Sequence, residues 1–111
     1  MKETIPEKKD AVAALELLSS KDFQPYVGSD FHIRFTPGVT VAAQLESVLE
    51  LTGYSNLERK PFSIVFQTAE KESYYLQAIY TIEHPALGAL SIFLVPLGIK
   101  GKGMQYEAVF S

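Results

Sequence analysis

Cysteine and tryptophan are absent from this chain, and histidine occurs only twice. Without cysteine there are no disulfides, no thiolate metal sites and no thiol nucleophile, and the redox compartment leaves no trace in the sequence. Basic residues are also in short supply. Ten Lys and Arg against thirteen Asp and Glu give a net charge of -3 and a pI near 5.3, the wrong balance for a dedicated nucleic-acid binder, which needs a basic face to neutralise phosphates. No apolar run approaches the roughly 20 residues of a membrane-spanning helix. The opening MKETIPEKKD lacks the hydrophobic centre of a secretory signal. The expectation is a cytoplasmic protein with no nucleic-acid or membrane partner.

What is present is apolar and patterned. Hydrophobic residues make up 47% of the 111 positions and charged ones 21%, enough to bury one core without staples. The region 73–110 sets the architecture. SYYLQAIYTI and ALSIFLVPLG are rich in aromatic and β-branched residues and meet at the EHPALG turn; the glycine-rich IKGKG then returns the chain into MQYEAVF. This reads as a three-strand antiparallel meander. In it Tyr80 and Ile82 alternate with Ile79 and Thr81, Leu90, Ile92 and Leu94 with Ser91 and Phe93, and Met104, Tyr106, Ala108 and Phe110 with Gln105, Glu107 and Val109.

Upstream, Val12, Leu15 and Leu18 recur at helical spacing among strong helix formers from Glu7 to Ser20. Pro6 suits the start of that helix, and Ser19, Ser20 and Lys21 are expected to close it. The helix either lies across a sheet or a barrel mouth, or acts as an arm that docks on a partner. From Phe23 the period becomes two. Phe31, Ile33 and Phe35 alternate with polar neighbours, and Pro37-Gly38 forms a turn in which Gly38 is expected to take positive φ. After the turn Val39, Val41, Ala43 and Leu45 alternate with polar or small neighbours, but Ala42 to Leu51 is ambiguous and also reads as a short helix ending at Gly53, because Leu45, Val48, Leu49 and Thr52 fit a helical face; the hairpin turn and β-branched start favour a strand. A polar connection, 53–60, leads to Pro61 and the strand Phe62 to Gln67, and Thr68 to Ser73 reads as a charged hairpin loop.

Several strands are apolar on both faces, so a single sheet with one wet face does not suffice. The expected fold is mainly β, a compact antiparallel meander of about six strands closing into a small barrel or sandwich, with one N-terminal α-helix. The expected organisation is a helical segment at 1–22 and a β domain at 23–111.

Candidate chemistry is sparse. His84 sits beside Glu83, but neighbouring strand residues point to opposite faces, which leaves Glu83 poorly placed to orient the imidazole. His84 instead suits the first position of a proline turn, with its ring bonded to local backbone. His32 and His84, with Asp30, Glu83 and Glu107, show no helical ligand spacing. The loop Gly98 to Gly103, with Lys100 and Lys102, lacks the helix and the Ser/Thr that a phosphate loop requires. No catalytic, cofactor-binding or metal-binding residue and no cofactor is therefore assigned. Tyr74, Tyr75, Tyr80 and Tyr106 cluster in the meander, where they serve a ligand pocket, an interface or the core.

The run Tyr80, His84-Pro85, Leu87-Gly88, Phe93-Leu94-Val95-Pro96 and Tyr106-Glu107-Ala108-Val109-Phe110, with the earlier Phe62, Ile64 and Phe66, resembles a family of small uncharacterised bacterial domains. The resemblance implies a β-rich bacterial protein and carries no activity. Some members resemble neighbours of phage-tail-like proteins. Three functions follow as expectations. The first is a non-enzymatic structural or protein-interaction module, self-associating or part of a larger assembly. The second is a small-molecule-binding barrel, and the third a hydrolase-like enzyme using His84.

Overall fold

The structure is a computed structural model that describes residues 18–52 and 60–111. A short helix α1 (Ser20–Phe23) and a 3₁₀ turn (Gln24–Tyr26) precede six strands: β1 (Asp30–Thr36), β2 (Val39–Glu50), β3 (Phe62–Gln67), β4 (Ala78–His84), β5 (Gly88–Lys100) and β6 (Gly103–Phe110). All pairings are antiparallel, and the strands close into a barrel in the order β1-β2-β3-β6-β5-β4.

Two long strands make the closure possible. β2 pairs with β1 through Val39 to Gln44 and with β3 through Gln44 to Glu50; β5 pairs with β4 through Gly88 to Leu94 and with β6 from Val95 onward. Each bends where its partner changes. An extra residue, Glu46 in β2 and Leu97 in β5, interrupts the register at these bends, and a third bulge falls at Phe35 in β1. Bulges increase local twist and curve a sheet toward closure. The bulge at Glu46 also explains the helix-like look of β2. Leu45 and Val48 both turn toward the core across it, so the inward spacing lengthens from two residues to three, which on paper imitates a helix.

Inward side chains fill the barrel. Phe31, Ile33, Leu45, Phe62, Ile64, Phe66, Ile82, Leu94, Tyr106 and Ala108 are all buried, as the period-two alternation requires. Phe23, fully buried, brings α1 against the stacked Phe62–Phe110 pair, with ring centroids 5.9 and 5.6 Å away. It covers that end of the barrel.

Four expectations are corrected. Ser19 to Lys21 do not close a helix: Ser19 caps the start of α1, its hydroxyl accepting from the Lys21 N–H while Asp22 accepts from the Ser19 N–H at 2.8 Å. The rest of the expected Glu7–Ser20 helix, and the connection 53–59, lie outside the described residues. The strand pattern begins at Asp30 rather than Phe23, which is helical. Gly38 does not take positive φ; the two-residue turn is accommodated by the bulge next to it, and Thr36 Oγ1 accepts from the Gly38 N–H at 3.3 Å. Finally, Thr68 to Ser73 is not a hairpin loop. β3 and β4 do not pair, and residues 68–77 cross from β3 to the far side of the β4-β5-β6 meander. Local alternation marks strands but says nothing of which strands become neighbours.

The crossover is tied down at both ends. At its start the Thr68 N–H and hydroxyl both donate to the Met104 carbonyl, at 3.1 and 2.8 Å, and the Met104 N–H donates to the Glu70 carbonyl at 2.9 Å. At its finish the Tyr75 N–H donates to the Tyr106 hydroxyl at 3.0 Å, and the Tyr75 ring stacks on Phe35 at 4.3 Å.

Candidate functional site

Three places gather the side chains that the sequence offered for chemistry. The first is the turn between β4 and β5. His84 pairs with Gly88 across a three-residue loop, Pro85 to Leu87, and Gly88 has φ +79, the left-handed conformation that such loops assign to glycine. The His84 ring sits between Tyr26 and Phe31, with centroids 4.7 and 4.4 Å away. Beside it His32, Glu83, Pro85, Gly88 and Ala89 line an open depression of about 400 Å³.

The hydrogen bonds define the state of the imidazole. The Ser29 hydroxyl donates its single proton to the Tyr26 carbonyl at 2.7 Å, so toward His84 Nε2, 3.2 Å away, it must accept. Nδ1 in turn accepts from the Ala86 N–H at 3.0 Å. This pattern assigns to His84 the tautomer with its proton on Nε2, its Nδ1 lone pair being taken by the Ala86 backbone. In this arrangement the ring does not serve as a base toward Ser29. A base that activates Ser29 must take the hydroxyl proton, whereas here the serine holds its proton toward a carbonyl and receives another from the ring. Glu83 does not orient the ring either, because its carboxylate pairs with Arg34 on β1 at 3.1 Å. The sequence reading of His84 as a turn residue bonded to local backbone holds, while the link to Ser29, 55 positions away, has no local signal.

The second place is the aromatic cluster under the crossover. Phe35 is its centre, with Tyr75 stacked at 4.3 Å, Tyr80 edge-on at 4.8 Å and Tyr106 tilted at 5.0 Å. Tyr75, Tyr80 and Tyr106 meet as the sequence suggested; Tyr74 is exposed and makes none of these ring contacts. Burial raises the Tyr106 phenol, partly opposed by the Tyr75 N–H that it accepts, and burial with neighbouring Tyr75 raises Tyr80. The Tyr80 hydroxyl donates to the Leu76 carbonyl. Each phenol is thereby engaged with the crossover backbone, and the cluster serves to clamp that segment.

The third is a polar strip on the outer face of β2, β3 and β6. Gln105 donates to Glu46, in the β2 bulge, and to Gln67 Oε1 at 2.9 Å; Gln67 donates to the carbonyls of Thr68, Lys100 and Gly103 at 2.8 to 3.0 Å. Gln67 thus ties the Lys100–Gly103 turn to the barrel, and the glycine-rich loop runs from strand to strand as the failed phosphate-loop context required. Among the described residues no group of three or more His, Asp and Glu is placed to hold a metal ion, and no helix is long and apolar enough to cross a membrane.

The outer wall of β4 and β5 carries the opposite character. Ile79 and Phe93 are cross-strand partners, and both point away from the core, 67% and 49% exposed. Leu76 ahead of β4 is 71% exposed, and Leu97 in the β5 bulge is exposed as well. This surface was foreshadowed by the two-faced apolar pattern of these strands.

Comparison with known proteins places this geometry in a family. The family model described as a domain of unknown function (DUF6916) matches residues 18–110, which takes in α1 and all six strands. No curated protein and no solved structure matches the chain.

Proposed function

The chain belongs to the DUF6916 family of unknown function, and we propose that it is a non-enzymatic protein-interaction module that associates through the β4–β5 wall. The observation that carries this reading is the exposed Ile79–Phe93 pair, flanked by Leu76 and Leu97, on a barrel whose interior is already filled. Contiguous exposed apolar surface on a small domain marks an interface. Among the described residues every strand is paired on both sides, so none of the six offers a free edge to a partner strand. Association must therefore use side chains on a wall, with a second copy of this chain as the simplest occupant. Following the family resemblance, the module would serve in a bacterial assembly, as a phage-tail-like or secretion-associated accessory protein.

The packed interior speaks against a small-molecule carrier, because Phe31, Phe66, Ile33 and Leu94 occupy the space a ligand would need. The inverted proton arrangement at Ser29 and His84 speaks against a hydrolase. Light scattering coupled to size-exclusion chromatography tests the interface. The natural chain is expected to self-associate, and Ile79→Lys with Phe93→Glu to give a folded monomer. A natural chain that stays monomeric at high concentration would overturn the reading.

A further inference from the structure

The seam between β1 and β4 is paired only from His32 to Arg34, against Glu83 to Thr81. Carried two residues further, the same register would set Thr36 opposite Ile79, but pairing stops at Arg34, where the bulge at Phe35 interrupts β1. A depression of about 330 Å³ opens in this gap, with the buried Phe35 and half-buried Tyr80 at its floor and Arg34, Thr36, Ile79 and Thr81 around it. Its floor is aromatic and its rim carries one cation. A phenyl ring suits both, packing on Phe35 and Tyr80 while its face lies against the guanidinium, which keeps Glu83 at 3.1 Å on its other side.

The same wall supplies such a ring. Phe93 pairs with Ile79 across the β4–β5 ladder and is exposed, so it stands one strand spacing, about 5 Å, to one side of Ile79, while the depression lies about one strand spacing to the other. A two-fold axis through Ile79, normal to the wall, therefore carries Phe93 of one copy over the depression of the other, and the reverse, with the two Ile79 side chains meeting at the centre. Charge favours the same occupant. Of the outward residues Ile79, Thr81 and Glu83 on β4 and Ala89, Ser91 and Phe93 on β5, only Glu83 is charged, and Arg34 neutralises it. Two such walls meet without like-charge repulsion, and neither carries a net charge that would draw a charged partner. Resting on the reading of this wall as an interface, we propose that the protein forms an isologous dimer in which Phe93 of each copy seats in the Arg34–Phe35–Tyr80 depression of the other.

Complementation between two variants of the full chain tests the seating, read by sedimentation equilibrium. Phe93→Ala removes the ring and leaves the depression, whereas Thr36→Trp fills the depression and leaves the ring; both positions are exposed, so the core is untouched. The natural chain is expected to form dimers and nothing larger, since a two-fold contact closes on itself. Each variant alone loses both seatings and should raise the dimer dissociation constant roughly tenfold or more. An equimolar mixture regains one seating in the mixed dimer, which should therefore form more tightly than the dimer of either variant. A variant that associates as tightly as the natural chain, a mixture no tighter than its parts, or assemblies larger than a dimer would overturn the seating alone, because self-association through the wall would still stand. A natural chain that stays monomeric at high concentration would overturn the seating together with the reading on which it rests.

Discussion

Replacing Tyr106 by Phe removes one oxygen from a ring that is 2% exposed and leaves its packing against Phe35 in place. The lost oxygen accepts the Tyr75 N–H at 3.0 Å. A net hydrogen bond contributes about 1 kcal/mol, and a donor left without a partner in a partly buried site adds to the loss, so Tyr106→Phe should destabilise by about 1–2 kcal/mol. For a domain near this size that lowers the melting temperature by about 4–8 °C per kcal/mol. Urea unfolding followed by far-ultraviolet circular dichroism measures it. The pH dependence supplies a second, independent readout. Burial raises the Tyr106 phenol above its ordinary value in the folded state, so the folded chain holds that proton more tightly than the unfolded one. Its contribution is therefore fully present below about pH 10, the unfolded value, and is lost as pH rises through the higher folded value. The gap between natural chain and variant should accordingly narrow above pH 10. A variant within about 0.5 kcal/mol of the natural chain, the range of an ordinary surface change, would refute the clamp, and a gap indifferent to alkaline pH would refute the burial argument.

Two more consequences are open to measurement. A Cβ on Gly103 would lie 2.5 Å from both the Glu70 nitrogen and the Thr68 oxygen, whereas one on Gly38 meets nothing within 4 Å. Gly103→Ala should therefore cost about 1–3 kcal/mol or more in urea unfolding, with Gly38→Ala nearly neutral as the control; equal effects would contradict the close approach of the crossover to β6. The His84 tautomer can be read from nitrogen-15 chemical shifts of the imidazole at neutral pH. A proton on Nε2 and a bare Nδ1 are expected, and Ser29→Ala should alter the Nε2 signal more than the Nδ1 signal; a ring protonated on Nδ1 would reverse the assignment.

Much of the architecture was legible because strand alternation is a local property. Phe31, Ile33 and Phe35, or Leu90, Ile92 and Leu94, need only their immediate neighbours to show which face is buried, and the turn residues Gly88 and Gly101 announce the left-handed positions they occupy. Ambiguity arose where one residue changed the phase, and misreading where pairing was distant. Glu46 alone made β2 resemble a helix, and Thr68 to Ser73 looked like a hairpin because a crossover and a turn use the same polar residues.

The chain by itself determined a mainly β fold, the inward positions of its strands, and the absence of any thiol. Tertiary structure alone decided who neighbours whom: β3 beside β6 rather than β4, Ser29 beneath His84, Glu83 on Arg34, Phe35 at the centre of three tyrosines, and Glu107 between two valines. Alternation specifies which side of a strand faces inward, whereas closing the barrel specifies which outward side chains share a wall, and the proposed contacts of this protein lie on those walls.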